Sequence, residues 1–260
     1  TAIRLLVGEK ENMIVITPGY SRYRQAADRL GRGTVESKMD HDKKTGRYRI
    51  DWEDLSAKMS HRENVLLVVC NPNNPTGQTL TEGELKRIHE LSMRYQVPVF
   101  CDEIFAEVTL DGGTVTPFGK AAGPESLALT CTSLGKCMSL TGVNHANVII
   151  PGEKLRERYI RQKYADHYGS IDPMLYSGLL HACTQAGKDY VLALGELTRK
   201  NRRIFTEGLA RLLPGARVVP ADATYLCWVD YSGLGLDDRE LAGFLERLLF
   251  AGDPGSEYGA

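Results

Sequence analysis

Neither sign of charge dominates this chain. Its 260 residues carry 32 Lys and Arg against 33 Asp and Glu, for a formal net charge of −1. A surface built for nucleic acid or anionic lipid shows a basic excess, and there is none here, so neither is an expected partner. The most basic stretch, residues 154–163, is broken by Glu157 and bounded by Glu153 and Asp166. Long apolar runs are missing too. Residues 65–70, 97–101 and 148–150 are the most apolar, far short of the roughly 20 needed to cross a bilayer. Residues 1–8 lack the charged start, apolar middle and small-residue cleavage site of an export signal. The six cysteines form no C-x-x-C pair, and four lie inside or at the end of apolar runs. They read as small buried hydrophobes in a reducing compartment, so a cytoplasmic location is expected. Several catalytic templates are also absent. There is no G-x-x-x-x-G-K-[ST] and no G-x-G-x-x-G after a strand. His89-Glu90 has no second histidine at zincin spacing, and no G-x-S-x-G occurs. Six dispersed histidines give no metal-ligand set.

What is present is a globular composition, 42% apolar and 25% charged, in a chain long enough for a large core. Short apolar runs at residues 13–16, 48–50, 65–70, 97–101, 127–131 and 148–150 predict strands. Residues 65–70 are continuous and β-branched, as in a strand covered on both faces. Thr81 to Glu84 has the pattern of a capping box, and Leu85, Ile88 and Leu91 follow at helical spacing. Strands alternating with helices predict an α/β fold with a mainly parallel sheet flanked by helices. The second half reads differently, with helices over 153–164, 175–186, 190–213 and 237–250 and strands over 217–220 and 225–229. The expected division is a large domain over residues 1–188 and a smaller α+β C-terminal domain over 189–260, with a long connecting helix.

Four apolar runs pass at once into polar, turn-forming residues. They lead to Thr17-Pro18-Gly19-Tyr20, to Asn71 through Gly77, to Asp102-Glu103, and to Thr132-Ser133-Leu134-Gly135-Lys136. In an open parallel sheet the strand C-termini share one edge, where ligands bind. Alone, Lys136 reads as a solvated lysine, Asp102 as a surface acid or helix cap, 71–77 as a stiff turn and Tyr20 as packing. Their shared position at four strand ends, one acid with one lysine, argues for a site. Pyridoxal phosphate uses such a set: a lysine for its Schiff base and an acid facing its pyridine nitrogen. It also uses a stacked ring and groups that hold its phosphate.

These motifs, Asn71-Pro72-Asn73-Asn74-Pro75-Thr76-Gly77, Asp102-Glu103-Ile104 and Ser133-Leu134-Gly135-Lys136, resemble the class I/II aminotransferase family of fold-type I pyridoxal-phosphate enzymes. Residues 223–230 and 254–259 resemble the small domain of its cystathionine β-lyase (C–S lyase) branch. The resemblance implies that Lys136 forms the Schiff base, Asp102 pairs with the pyridine nitrogen and Asn74 bonds the phenolic oxygen. It further implies that Tyr20 stacks on the ring and Ser133 binds phosphate. Four departures stand out. Phe105 replaces a Tyr or His three residues after the aspartate, and Asn144 replaces a phosphate-binding Arg eight residues after the lysine. The upstream phosphate loop and a downstream carboxylate-binding Arg fall outside the sequence, which therefore reads as truncated at both ends.

The resemblance implies an enzyme acting on a small amino acid substrate, with Lys136 as general base at Cα. C–S β-elimination of cystathionine-like or cysteine-derived substrates is the expected activity. An amino acid aminotransferase and a non-catalytic truncated member are the alternatives. A homodimer is implied as well.

Overall fold

The computed structural model describes residues 1–110, 114–142, 145–169 and 171–260. Helix α1 (Ala2–Leu6) leads to strand β1 (Asn12–Thr17), helix α2 (Arg22–Asp28) and strand β2 (Gly33–Lys38). A hairpin of β3 (Asp40–Asp42) and β4 (Arg47–Arg49) precedes α3 (Trp52–Ser60), β5 (Asn64–Cys70) and α4 (Glu82–Tyr95). Then come β6 (Val99–Asp102), α5 (Phe118–Ala122), β7 (Ala128–Thr132) and β8 (Asn147–Ile149). Six of these strands form the main sheet in the order β2-β1-β5-β6-β7-β8. Every neighbouring pair from β2 to β7 is parallel, and β8 is antiparallel to β7. The expected α/β architecture with a mainly parallel sheet is therefore the one observed.

Period-two alternation divides the core between the two faces of this sheet. Ile14, Ile16, Leu67 and Val69 point to one face, against Leu55 and Met59 of α3, Leu85, Ile88 and Leu91 of α4, and Phe118 of α5. Met13, Val15, Leu66 and Val68 point to the other, against Val7 and Ala27. That two-sided burial explains why residues 65–70 carry no polar position. The capping box of α4 is complete: Glu84 N donates to Thr81 Oγ1 at 3.2 Å, and Thr81 N donates to Glu84 Oε2 at 2.8 Å.

Two elements lack a strong periodic signal. Strand β2 is a polar edge strand, five of its six residues at least partly accessible. Helix α3 begins where Asp51 accepts from Glu53 N and Asp54 N, both at 3.0 Å.

The remainder of the chain holds α6 (Glu153–Ala165), α7 (Pro173–Ala182), α8 (Gln185–Leu212), β9 (Arg217–Val218), β10 (Val229–Asp230) and α9 (Asp238–Arg247). The helix expected over 175–186 stops at Ala182, and the next begins five residues before the expected 190. Gly187 permits this tight junction, since a Cβ there would lie 1.9 Å from Ala182 O. The strand expected over 225–229 is reduced to Val229–Asp230, paired with β9. Arg202 of α8 supplies the reason: its guanidinium donates to Leu226 O at 2.8 Å and to Val219 O at 2.5 Å. A side chain thus satisfies a carbonyl that a ladder would otherwise need. No helix among the described residues is long and apolar enough to cross a membrane.

Candidate active site

The four polar clusters do meet. Their strands β1, β5, β6 and β7 are consecutive neighbours and all parallel, so their C-terminal ends share one edge. Register places Asp102 opposite Cys70 on one side and Cys131 on the other. The loop after β1 turns sharply: a Cβ on Gly19 would sit 2.2 Å from Ile16 O. Asn73 Nδ2 donates to Pro18 O at 3.3 Å, joining this loop to the one after β5. In that second loop Asn71 is fully buried, its Oδ1 accepting from Leu80 N at 2.9 Å, and Asn71 N donates to Asp102 O at 2.9 Å. Gly77 adopts φ +72°, and a Cβ there would lie 2.7 Å from both Ala221 Cβ and Ala223 O. Only glycine admits this approach of the 221–223 segment.

Asp102 ends β6 with 8% of its surface exposed. Its Oδ1 accepts from Ile104 N at 3.3 Å. Its Oδ2 accepts from the hydroxyl of Tyr23 at 2.6 Å, a residue outside the four sequence motifs. The available signal was spacing: Tyr23 lies one helical turn after Tyr20. Burial pushes the Asp102 carboxyl above its ordinary range, while Tyr23, Ile104 N–H and the charge of Lys136 pull it back. Tyr23 is pushed well above the usual phenol value, first by burial and then by Asp102. Burial and the same carboxylate raise the Cys70 and Cys131 thiols to about 12, so neither is a thiolate near neutrality.

Lys136 sits in the turn after β7. Its Nζ lies 5.9 Å from the centroid of Phe105, and its charge favours the ionised form of Asp102. Phe105 is buried and meets Tyr225 edge-on, the centroids 5.4 Å apart. Ser133 Oγ accepts from Gly135 N at 3.0 Å and donates to His145 O at 3.1 Å. His145 Nε2 accepts from Leu134 N at 3.1 Å. Tyr20 is half-buried and meets Tyr23 edge-on, centroids 5.5 Å apart at 87°. Asn74 is half-buried, in the loop where the Cys70 thiol donates to Pro72 O at 3.2 Å. Asn144 lies outside the described residues. The C-terminal 3₁₀ turn Gly255–Tyr258 closes against the end of β1, where Gly19 N donates to Tyr258 O at 2.9 Å.

A buried carboxylate with an accessible lysine nearby and an aromatic ring at the mouth can hold a flat cationic heterocycle and move a proton beside it. Known proteins share this framework. The cystathionine β-lyase PatB of Bacillus subtilis is 27% identical over 263 residues, covering 99% of this chain and 66% of that protein. A probable aspartate/prephenate aminotransferase of Aquifex aeolicus is 25% identical over 261 residues, covering 98% and 64%. A PLP-bound C–S lyase of Staphylococcus hominis, in complex with L-cycloserine, superposes with a TM-score of 0.81 at 26% identity, covering 88% and 56%. The chain thus spans less than two thirds of the length of each. The family described as aminotransferase class I and II matches residues 1–247, and with the parallel sheet and its four converging strand ends this chain belongs to that family.

Proposed function

We propose that this chain is the core of a pyridoxal-phosphate-dependent enzyme that acts on an amino acid through Lys136, by β-elimination at a C–S bond. The observation that carries the reading is the convergence of a buried acid and a lysine at one sheet edge, in a chain similar to C–S lyases over nearly its whole length. The donor set fits the cofactor. Lys136 supplies the amine that its aldehyde takes. Asp102 offers a desolvated carboxylate for its ring nitrogen, where a cationic N–H would offset the burial that raises the acid. Asn74 serves its phenolic oxygen, Tyr20 its ring face and Ser133 its phosphate.

Pyridoxal phosphate supplies an electron sink conjugated to the substrate nitrogen. The residues do the rest. Asp102 would hold a proton on the ring nitrogen, and its burial would strengthen that pairing. Lys136 Nζ removes the proton from the substrate Cα, and sulfur then leaves Cβ as a thiol. Phe105, which neither donates nor accepts, leaves the Lys136 amine without a hydrogen-bonding competitor on that side. With one water consumed in hydrolysis and the departing sulfur taking up a proton, the products of cystathionine would be pyruvate, ammonia and a thiol.

The test supplies cystathionine and measures pyruvate and thiol without a 2-oxo acid acceptor. Acceptor-dependent turnover with no thiol release would instead support transamination, the second reading, favoured by the similarity to the Aquifex aminotransferase. A colourless protein that borohydride does not mark at Lys136 would remove both. The same reading divides the chain into a large cofactor domain over 1–188 and a small domain over 189–260. It also makes the enzyme a cytoplasmic homodimer.

A further inference from the structure

We propose that Tyr23 is the positioning residue of this site: its hydroxyl, 2.6 Å from Asp102 Oδ2, fixes the acid, while its ring edge fixes Tyr20. The roles of Asp102 and Tyr20 rest on the cofactor reading above; the contacts themselves do not. The bland account of Tyr23 is packing, since its ring lies against the cluster around Met13, Val15 and Ala27. Phenylalanine would pack equally well there. The hydroxyl is what packing leaves unexplained, because a hydroxyl in an apolar wall is costly unless it is bonded.

The bond runs from the phenol to the carboxylate. Burial and the neighbouring carboxylate hold the phenol well above its ordinary value, so Tyr23 keeps its proton and donates. Around the acid stand Cys70 on β5, Cys131 on β7, Glu103 next in chain, the Ile104 N–H and Lys136. The hydrogen bond from Tyr23 to the carboxylate, 2.6 Å, is shorter than that from Ile104 N, 3.3 Å. The Asp102 plane and the Tyr20 ring are therefore set by one side chain on α2, one turn beyond Tyr20 itself.

Two variants and three readouts test this. In cofactor-free protein, the Asp102 carboxyl is titrated by infrared spectroscopy on 13C-aspartate label, with Asp102→Asn as the blank. Tyr23→Phe should move that titration up by about one pH unit, the size of one hydrogen bond to a charged group. The same variant should bind pyridoxal phosphate about tenfold more weakly and lower kcat more than KM, with its far-ultraviolet circular dichroism unchanged. Independently of that variant, Asp102→Asn should let the Tyr23 phenol ionise at lower pH. A Tyr23→Phe protein that matches wild type within twofold in affinity and in its Asp102 titration would overturn the proposal. So would an unmoved phenol in Asp102→Asn. If wild type binds no pyridoxal phosphate, the functional reading fails, while the two cofactor-free titrations still decide the Tyr23–Asp102 bond.

Discussion

Asp102 carries a cost that function would explain. Burial raises its carboxyl above the ordinary 3.8. An acid raised in the folded state binds its proton more tightly there than in the unfolded chain. The stability it contributes is present below the unfolded pKa and lost as pH rises through the folded one. Asp102→Asn should therefore raise the melting temperature of the cofactor-free protein at pH 7, because it removes the carboxylate whose burial is costly. It should change nothing near pH 3. Thermal melts at both pH values check this, and an equal gain at each would refute it. Lys136 is the other decisive residue: Lys136→Ala should abolish borohydride-stable labelling by pyridoxal phosphate while leaving the melting temperature within a few degrees. The tolerance is expected because Lys136 lies in a turn, half-exposed, with no ion pair to lose among the described residues.

At the scale of elements, the loops at the sheet edge are held by backbone and polar contacts from helices and strands behind them. Helix α4 follows the loop from Asn71 to Gly77, and its start is fixed by the Thr81–Glu84 box. Thr81→Ala removes the acceptor for Glu84 N and should cost about 1 kcal/mol of stability. Chemical denaturation should record it, with Thr81→Ser restoring most of the loss. Glu103, 2% exposed, accepts from Phe118 N at 2.5 Å and so anchors the first residue of α5 behind the site. Its carboxyl is raised mainly by burial. Acids on adjacent residues thus have different tasks, Asp102 facing the site and Glu103 closing a helix end.

Across the whole molecule, Asp222 ties distant segments together. It pairs with Arg47 of β4 at 2.5 Å and accepts from Thr79 N at 3.0 Å. Leu110 N donates to its carbonyl at 2.9 Å, and its own N–H reaches Gly77 O at 2.9 Å. The 221–223 segment is thereby fastened to the loop after β5, over the contact that only Gly77 allows. Asp222→Ala would strand Arg47 and Thr79 N–H. It should lower stability by about 2 kcal/mol, since the pair is only partly exposed and the bonds involve charge. A urea midpoint that does not fall would refute this.

Local pattern alone determined the sheet-forming runs, the capping box of α4 and the placement of Asn71–Gly77, Asp102 and Ser133–Lys136 at strand ends. Each of these depends on side-chain periodicity or on residues within one turn, which sequence displays directly. Strand β2 and the shortened strand before Asp230 were not legible. The first is polar because it is an edge, and the second gave up its ladder to Arg202, some two dozen residues away in the chain. Tyr23 belongs with these. Its partner is 79 residues distant, and the one-turn spacing from Tyr20 says nothing of the acid that its hydroxyl reaches. Which side chains converge on the acid was decided by tertiary packing, because the order in which strands lie beside one another is a property of the whole sheet.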